Sequence, residues 1–427
     1  MEVIHLVDGH GGLRLNFSGE QKHPFRTLLL SLICLLLPAF ESNAQWWKKA
    51  DEAEKERSKG MLLLTTEVQT EATVAINEMY NFHFPEAERE FNYLKIKYPQ
   101  HPLPDFLLGL MQWWKIVPNT KNEVYDDRLI EYMDQSIEKA EKIYDETENP
   151  EAAFFMAAAY AFKGRLHAER KHWTRATLAA KSALKYLEYS RNFADFSPEL
   201  MFGDGLYNYY YFFIKQNFPL LRPVLWLFPK ADKSQGIAQL EKVSYQAFYT
   251  RTEARYFLLQ IYGMENMNEK AYGMAKYTSE TFPDNPYFHR YYARAAYMSG
   301  NVEEATSLSK EILRRIESHQ VGYEGTSGRY ASYILGYYAL YVYRNHAEAI
   351  RYFKQCMEFT KATDATDSGY YWASLLGLAR IAYQQQNYDQ AVDYCKEVLE
   401  HAEKKSVQHT EAKKLLSESK KARRKKR

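Results

Sequence analysis

The sequence predicts an all-α chain: a solenoid of about eight antiparallel helix pairs, interrupted by an irregular, aromatic-rich middle. Three observations carry this expectation. From Gln45 onward, apolar residues recur at three- and four-residue spacing with few strand-like runs. Similar segments return at a 34-residue interval, the mark of stacked repeats. Gly (19) and Pro (14) are too sparse among 427 residues for a collagen-like or disordered chain.

Composition narrows the function classes. With 46% apolar and 26% charged residues the chain has ample material for a core, and a mean hydropathy of −0.55 excludes a polytopic membrane protein. The net charge of +2 is unevenly spread. Residues 413–427 hold nine Lys/Arg and one Glu, leaving 47 basic against 53 acidic side chains elsewhere. A mildly acidic body therefore ends in a basic tail, and no nucleic-acid partner is expected for the body. Cys34, Cys356 and Cys395 form neither a disulfide framework nor a metal cluster. Cys356 and Cys395 fall at small packed positions of second helices, as buried thiols or as a pair in an oxidising compartment.

In chain order, the first element is a leader. Lys22, His23 and Arg26 precede the apolar run Thr27–Phe40, which matches a secretory signal and is short for a spanning helix of about 20 residues. Ser42-Asn43-Ala44 places small residues before a cleavage site at Gln45, giving a leader over 1–44. The alternative is a short anchor that stays attached. Export predicts a periplasmic or outer-membrane-associated protein.

The repeats follow, over 45–412. Thr252–Asn285 and Pro286–His319 are the clearest units, with Ala271 and Ala305 at equivalent places and Phe282-Pro283-Asp284-Asn285-Pro286 between them. Asn81–Ala87 with Phe91, Leu94 and Tyr98-Pro99 makes an earlier unit, and Leu108-Gly109 opens the next. Leu335 with His346–Ile350 and Phe353, then Leu375–Ala382 with Asn387–Ala391 and Val398, complete the later ones. These residues resemble the tetratricopeptide repeat (TPR) family, in particular exported bacterial members. The resemblance implies a right-handed α-solenoid with a concave groove lined by the first helix of each pair.

Two stretches break the rhythm. Val117–Asp127 reads as a loop. Gly164–Lys230 opens with a basic run and leads into an irregular insertion near 197–235, in which Pro219 and Pro223 prevent one continuous helix. Its aromatics, Tyr207–Phe228, either plug the solenoid or protrude as a membrane or partner contact.

Catalytic motifs are lacking. His167 and His172 are five apart and off one helical face, Gly325-Thr326-Ser327-Gly328 is no nucleophile elbow, and Gly203-Asp204-Gly205 no dinucleotide fingerprint. The expectation is a non-enzyme without cofactor, metal or catalytic residues. If the TPR resemblance holds, the partner groove includes Trp113, Tyr256, Gln260, Tyr287, Arg290, Arg294, Tyr297, Arg380 and Tyr383. Arg290 and Arg294, four apart, would meet one acidic segment or C-terminal carboxylate. The expected function is a protein-interaction scaffold of the bacterial cell envelope, binding peptide segments or C-termini. The rival is a membrane- or glycan-surface-associated protein using 207–228 and the basic tail, in peripheral contact with an anionic membrane surface.

Overall fold

The computed structural model describes residues 61–191, 193, 197–217, 222 and 230–426. The leader, its cleavage site, Cys34 and most of 218–229 lie outside the described residues. Among those described there are seventeen α-helices and no strand. They divide into two compact units, 61–267 and 268–426.

The N-terminal unit holds a short 3-10 turn (Leu62–Leu64) and nine helices. These are α1 (Thr66–Tyr80), α2 (Phe84–Lys97), α3 (Leu103–Ile116), α4 (Asp126–Thr147), α5 (Pro150–Glu169), α6 (Trp173–Arg191), α7 (Pro198–Asn217), α8 (Lys233–Gln246) and α9 (Arg251–Met264). The C-terminal unit holds α10 (Asn268–Thr281), α11 (Pro286–Met298), α12 (Val302–Glu317), α13 (Gly325–Tyr341), α14 (His346–Ala362), α15 (Gly369–Gln384), α16 (Tyr388–His401) and α17 (Val407–Lys426). Within each unit every helix packs on its neighbour in the chain. In addition, first helices pack on first helices: α1 on α3, α3 on α5 and α5 on α7, and likewise α11 through α13 and α15 to α17. That second-neighbour contact makes each unit a TPR-like stack of helix pairs rather than a closed bundle.

Burial follows from this layering. First helices are flanked on several sides and second helices on one. In α13, 13 of 17 residues are buried; in α14, only Ala349, Tyr352, Phe353, Cys356 and Thr360. Close crossings place small side chains at the fourth position of second helices, α4 with its buried Leu129 excepted. Ala87, Ala176, Gly236, Ala305, Ala349 and Ala391 are all buried there, and Ala271 is half-buried. At Gly236 the demand is strict, because a Cβ would stand 2.6 Å from the backbone nitrogen of Tyr209.

Turns within pairs share one device. Phe82, Lys171, Gly300, Arg344 and Gln386 each take a left-handed φ, between 55 and 73°, just past a first helix. In the C-terminal unit an asparagine then caps the second helix. Asn301, Asn345 and Asn387 accept the N–H of Glu304, Glu348 and Gln390 at 3.4, 3.2 and 3.3 Å.

The expected loop spans 117–125, held by Arg170. Its guanidinium pairs with Asp126 (2.5 Å) and donates to the carbonyl oxygen of Asn122 (2.9 Å). The stretch expected to be irregular, 197–235, contains one long regular helix, α7, which pairs with α8 at its end across Gly205 and Gly236. The departure from the 34-residue frame lies in the connection between them. The basic tail also belongs to a helix, since α17 runs to Lys426. Cys356 and Cys395 are buried free thiols, and burial pushes the Cys395 thiol up to about 11. No helix among the described residues is long and apolar enough to cross a membrane.

Candidate functional site

The C-terminal unit carries a row of tyrosines across consecutive first helices. On α13, Tyr333, Tyr337 and Tyr341 recur every fourth residue and therefore share a face. The Tyr337 ring lies 4.7 Å from that of Tyr341 and edge-on, at 5.2 Å, to Tyr297 of α11. At the other end Arg380 of α15 donates to the Tyr341 hydroxyl and to the Glu411 carboxylate of α17. Tyr297, Tyr337, Tyr341, Arg380 and Tyr383 are all half-buried, so the row is held in place yet reaches the surface.

Glycines set the spacing of this row. A Cβ on Gly336 of α13 or Gly377 of α15 would stand 2.7 and 2.5 Å from the Phe353 ring, which α14 drives between the two first helices. The cleft lined by Tyr333, Tyr337, Tyr341, Phe353 and Arg380 has a volume of about 10 Å³. That accommodates roughly one water and no larger ligand. Burial holds the hydroxyls of Tyr297 and Tyr333 well above the ordinary tyrosine value, so they stay neutral. The row thus offers flat amphipathic rings, neutral hydrogen-bonding hydroxyls and one shared cation. Among the described residues no group of three or more His, Cys, Asp or Glu is placed to hold a metal ion.

All nine residues expected in the groove lie on first helices, three in the N-terminal unit and six in the C-terminal unit. They differ in exposure. Trp113 is fully buried beneath the Arg165 guanidinium, 4.3 Å from its ring, and Arg165 donates to the Tyr256 hydroxyl at 2.6 Å. Tyr256 and Gln260 are buried as well. Beside this cluster Glu253, also buried, accepts from Tyr80 (3.0 Å) and Trp114 (2.7 Å), and its burial raises its carboxyl above the usual range.

On α11, Tyr287, Arg290 and Arg294 are buried; the Arg290 guanidinium stacks 4.9 Å from Tyr287 and 5.7 Å from Tyr330. Only Tyr297, Arg380 and Tyr383 reach the surface. Tyr337, Tyr341 and Glu411 complete the row and were not anticipated. The four-residue tyrosine spacing on α13 announces the first two; Glu411 has no local signal, being 31 residues from Arg380. In the segment 207–228, Tyr209 and Tyr210 are buried in the α7 layer, and residues 218–221 and 223–228 lie outside the described residues.

No family model matches the chain, and no curated protein matches it. Solved structures similar at low identity include the following two. The crystal structure of yeast Tom70 is 13% identical with a TM-score of 0.37, and the match covers 75% of this chain and 64% of that one. The crystal structure of the P58(IPK) TPR domain is 14% identical with a TM-score of 0.27, over 84% of this chain and 99% of that one. The chain thus spans less than two-thirds of the length of the Tom70 structure. Its own helix contacts, rather than these distant likenesses, define the TPR-like fold.

Proposed function

We propose that the chain is a non-catalytic scaffold, exported to a bacterial cell envelope, that docks segments of other proteins along its first helices. The observation that carries this reading is the half-buried row Tyr297–Tyr337–Tyr341–Arg380, which crosses three first helices of one unit. Tyrosine and arginine are the side chains that dominate protein interfaces. Rings already packed against one another lose little freedom when a partner arrives. Arg380 meets a carboxylate of the guest in competition with Glu411, and Arg290 and Arg294 add positive potential behind the row. An acidic segment or a chain terminus therefore fits best.

A photo-crosslinking side chain placed at Tyr337 or Tyr341 in cells tests this directly. Discrete adducts with other proteins are expected from those positions. None is expected from Tyr277, which is 50% exposed on the second helix α10 of the same unit. Equal labelling from Tyr277, or no adduct from the row, overturns the reading.

A further inference from the structure

The basic end of the chain has an ordered form. From Val407 to Lys426 it is one helix, packed on α15 and α16. Arg423 pairs with Asp389 at 2.8 Å, and Lys426 donates to the Gln386 carbonyl oxygen at 3.2 Å, fastening the last turn to the start of α16. Gln408, His409, Ala412 and Ser419 are buried on the packed side. With 3.6 residues per turn, Lys413, Lys414, Lys420, Lys421, Arg424 and Lys425 fall within an arc of about 140° on the opposite side. All six are exposed, and none makes an ion pair or hydrogen bond among the described residues.

We propose that this face of α17 is an electrostatic docking surface for an anionic lipid bilayer. The six cations form a straight strip about 18 Å long, fixed before contact because the other side of the helix is packed. A plane of headgroup charge meets such a strip along its whole length. Nucleic acid fits less well. The face offers no aromatic ring to stack on a base and no Asn or Gln to read one, and five of its six cations are lysines, point charges rather than bidentate forks. The exposed arc also lacks an apolar residue, so attachment is peripheral and controlled by salt. This inference stands apart from the tyrosine row and survives if that row docks nothing.

The test is cosedimentation of the full chain with vesicles of phosphatidylcholine alone or mixed with phosphatidylglycerol. Binding is expected only to the mixed vesicles, with release in roughly 1 M salt, where the screening length falls to about 3 Å. Each cation near such a surface is worth roughly a fivefold gain in partitioning. The variant Lys413→Gln/Lys414→Gln/Lys420→Gln/Lys421→Gln should therefore bind more than about a hundredfold more weakly. Glu418→Lys, at the edge of the arc, adds a cation and removes an anion and should bind at least roughly fivefold more tightly, a gain that misfolding cannot produce. Equal binding to both vesicles, undiminished binding by the quadruple variant, or tighter binding to a random DNA duplex at the same salt would each overturn the proposal.

Discussion

The two units use the same helix pair but fasten it differently. In the N-terminal unit each first helix from α3 onward opens with a buried acid: Asp105, Glu151, Glu199 and Glu253. Each acid binds something distant. Asp105 pairs with Lys95 (2.7 Å) and Lys139 (2.6 Å), and Glu151 accepts the N–H groups of Leu62 and Leu63. Glu199 takes the N–H groups of Phe248, Tyr249 and Thr250 and the Thr250 hydroxyl, closing the N-terminus of α9 with a negative charge. In the C-terminal unit α11, α13 and α15 have no acid in their first turn. There asparagine caps begin the second helices, aromatic packing surrounds Phe353, and the pairs between helices, Arg380–Glu411 and Arg423–Asp389, lie nearer the surface. A solenoid can therefore be stitched by long-range carboxylates or by local turn chemistry, and the two should fail under different insults.

The largest separation should come from Glu199. Replacing it with Ala leaves two buried backbone N–H groups, a part-buried one and a buried hydroxyl without their shared acceptor, at a cost of about 4 kcal/mol. Hydrogen exchange read unit by unit should show faster opening across 198–264 and unchanged protection across 302–401. Glu199→Gln, which keeps one acceptor oxygen, should recover part of the loss. Equal loss of protection in both units would erase the distinction.

Acid should act on the C-terminal unit through His289. It is buried on α11, with Nδ1 2.9 Å from the Tyr323 hydroxyl, and burial followed by the nearby Arg315 cation lowers its pKa to about 4. Between about 4 and the ordinary 6.5, the folded chain binds fewer protons there than the unfolded chain. Stability from this group is thus complete above the window and is lost as pH falls through it. From pH 7 to pH 5 the loss is about 2 kcal/mol. Glu311, also facing this site, is held down to about 2 by its hydrogen bond to Arg314 and ionises outside that range. Glu324, raised by burial, opposes the trend, as does Glu253 in the other unit. The decisive measurement is therefore a comparison of slopes: thermal stability of His289→Gln should fall less steeply between pH 7 and 5 than that of the parent chain.

The same contrast explains how much could be read from the sequence. Asn345-His346-Ala347-Glu348 and Asn387-Tyr388-Asp389-Gln390 complete their caps within three residues, so the later pairs are visible in a short window. Glu199 bonds residues 49 to 51 positions away, Glu151 reaches 88 and 89, and Glu253 reaches 139 and 173. No local pattern announces such partners, and this is why α7 reads as part of an insertion. At the candidate site, sequence placed Tyr297, Arg380 and Tyr383 on first helices. It could not show that Trp113 lies under Arg165, 52 residues later in the chain. First helices are buried around nearly their whole circumference, polar residues such as Glu253, Gln260 and Arg290 included, so periodicity does not mark which face stays open.

The caps give the smallest of the expected effects and the sharpest check on local fastening. Asn345→Ala removes the acceptor for the Glu348 N–H and the 3.2 Å bond from its amide to the Glu348 carboxylate. The loss should be about 1 kcal/mol, and Asn345→Asp should restore most of it, since Asp caps equally well. At the corresponding turn of the N-terminal unit, the cap residue of α2 is His83, whose side chain makes no capping bond. It instead forms an exposed pair with Glu78, and His83→Ala should cost only a few tenths of a kcal/mol. Urea titration of both variants measures the difference. If the histidine turn proved as costly to alter as the asparagine turn, the stability of these hairpins would lie in their left-handed residues, Phe82 and Arg344, rather than in the cap that follows them.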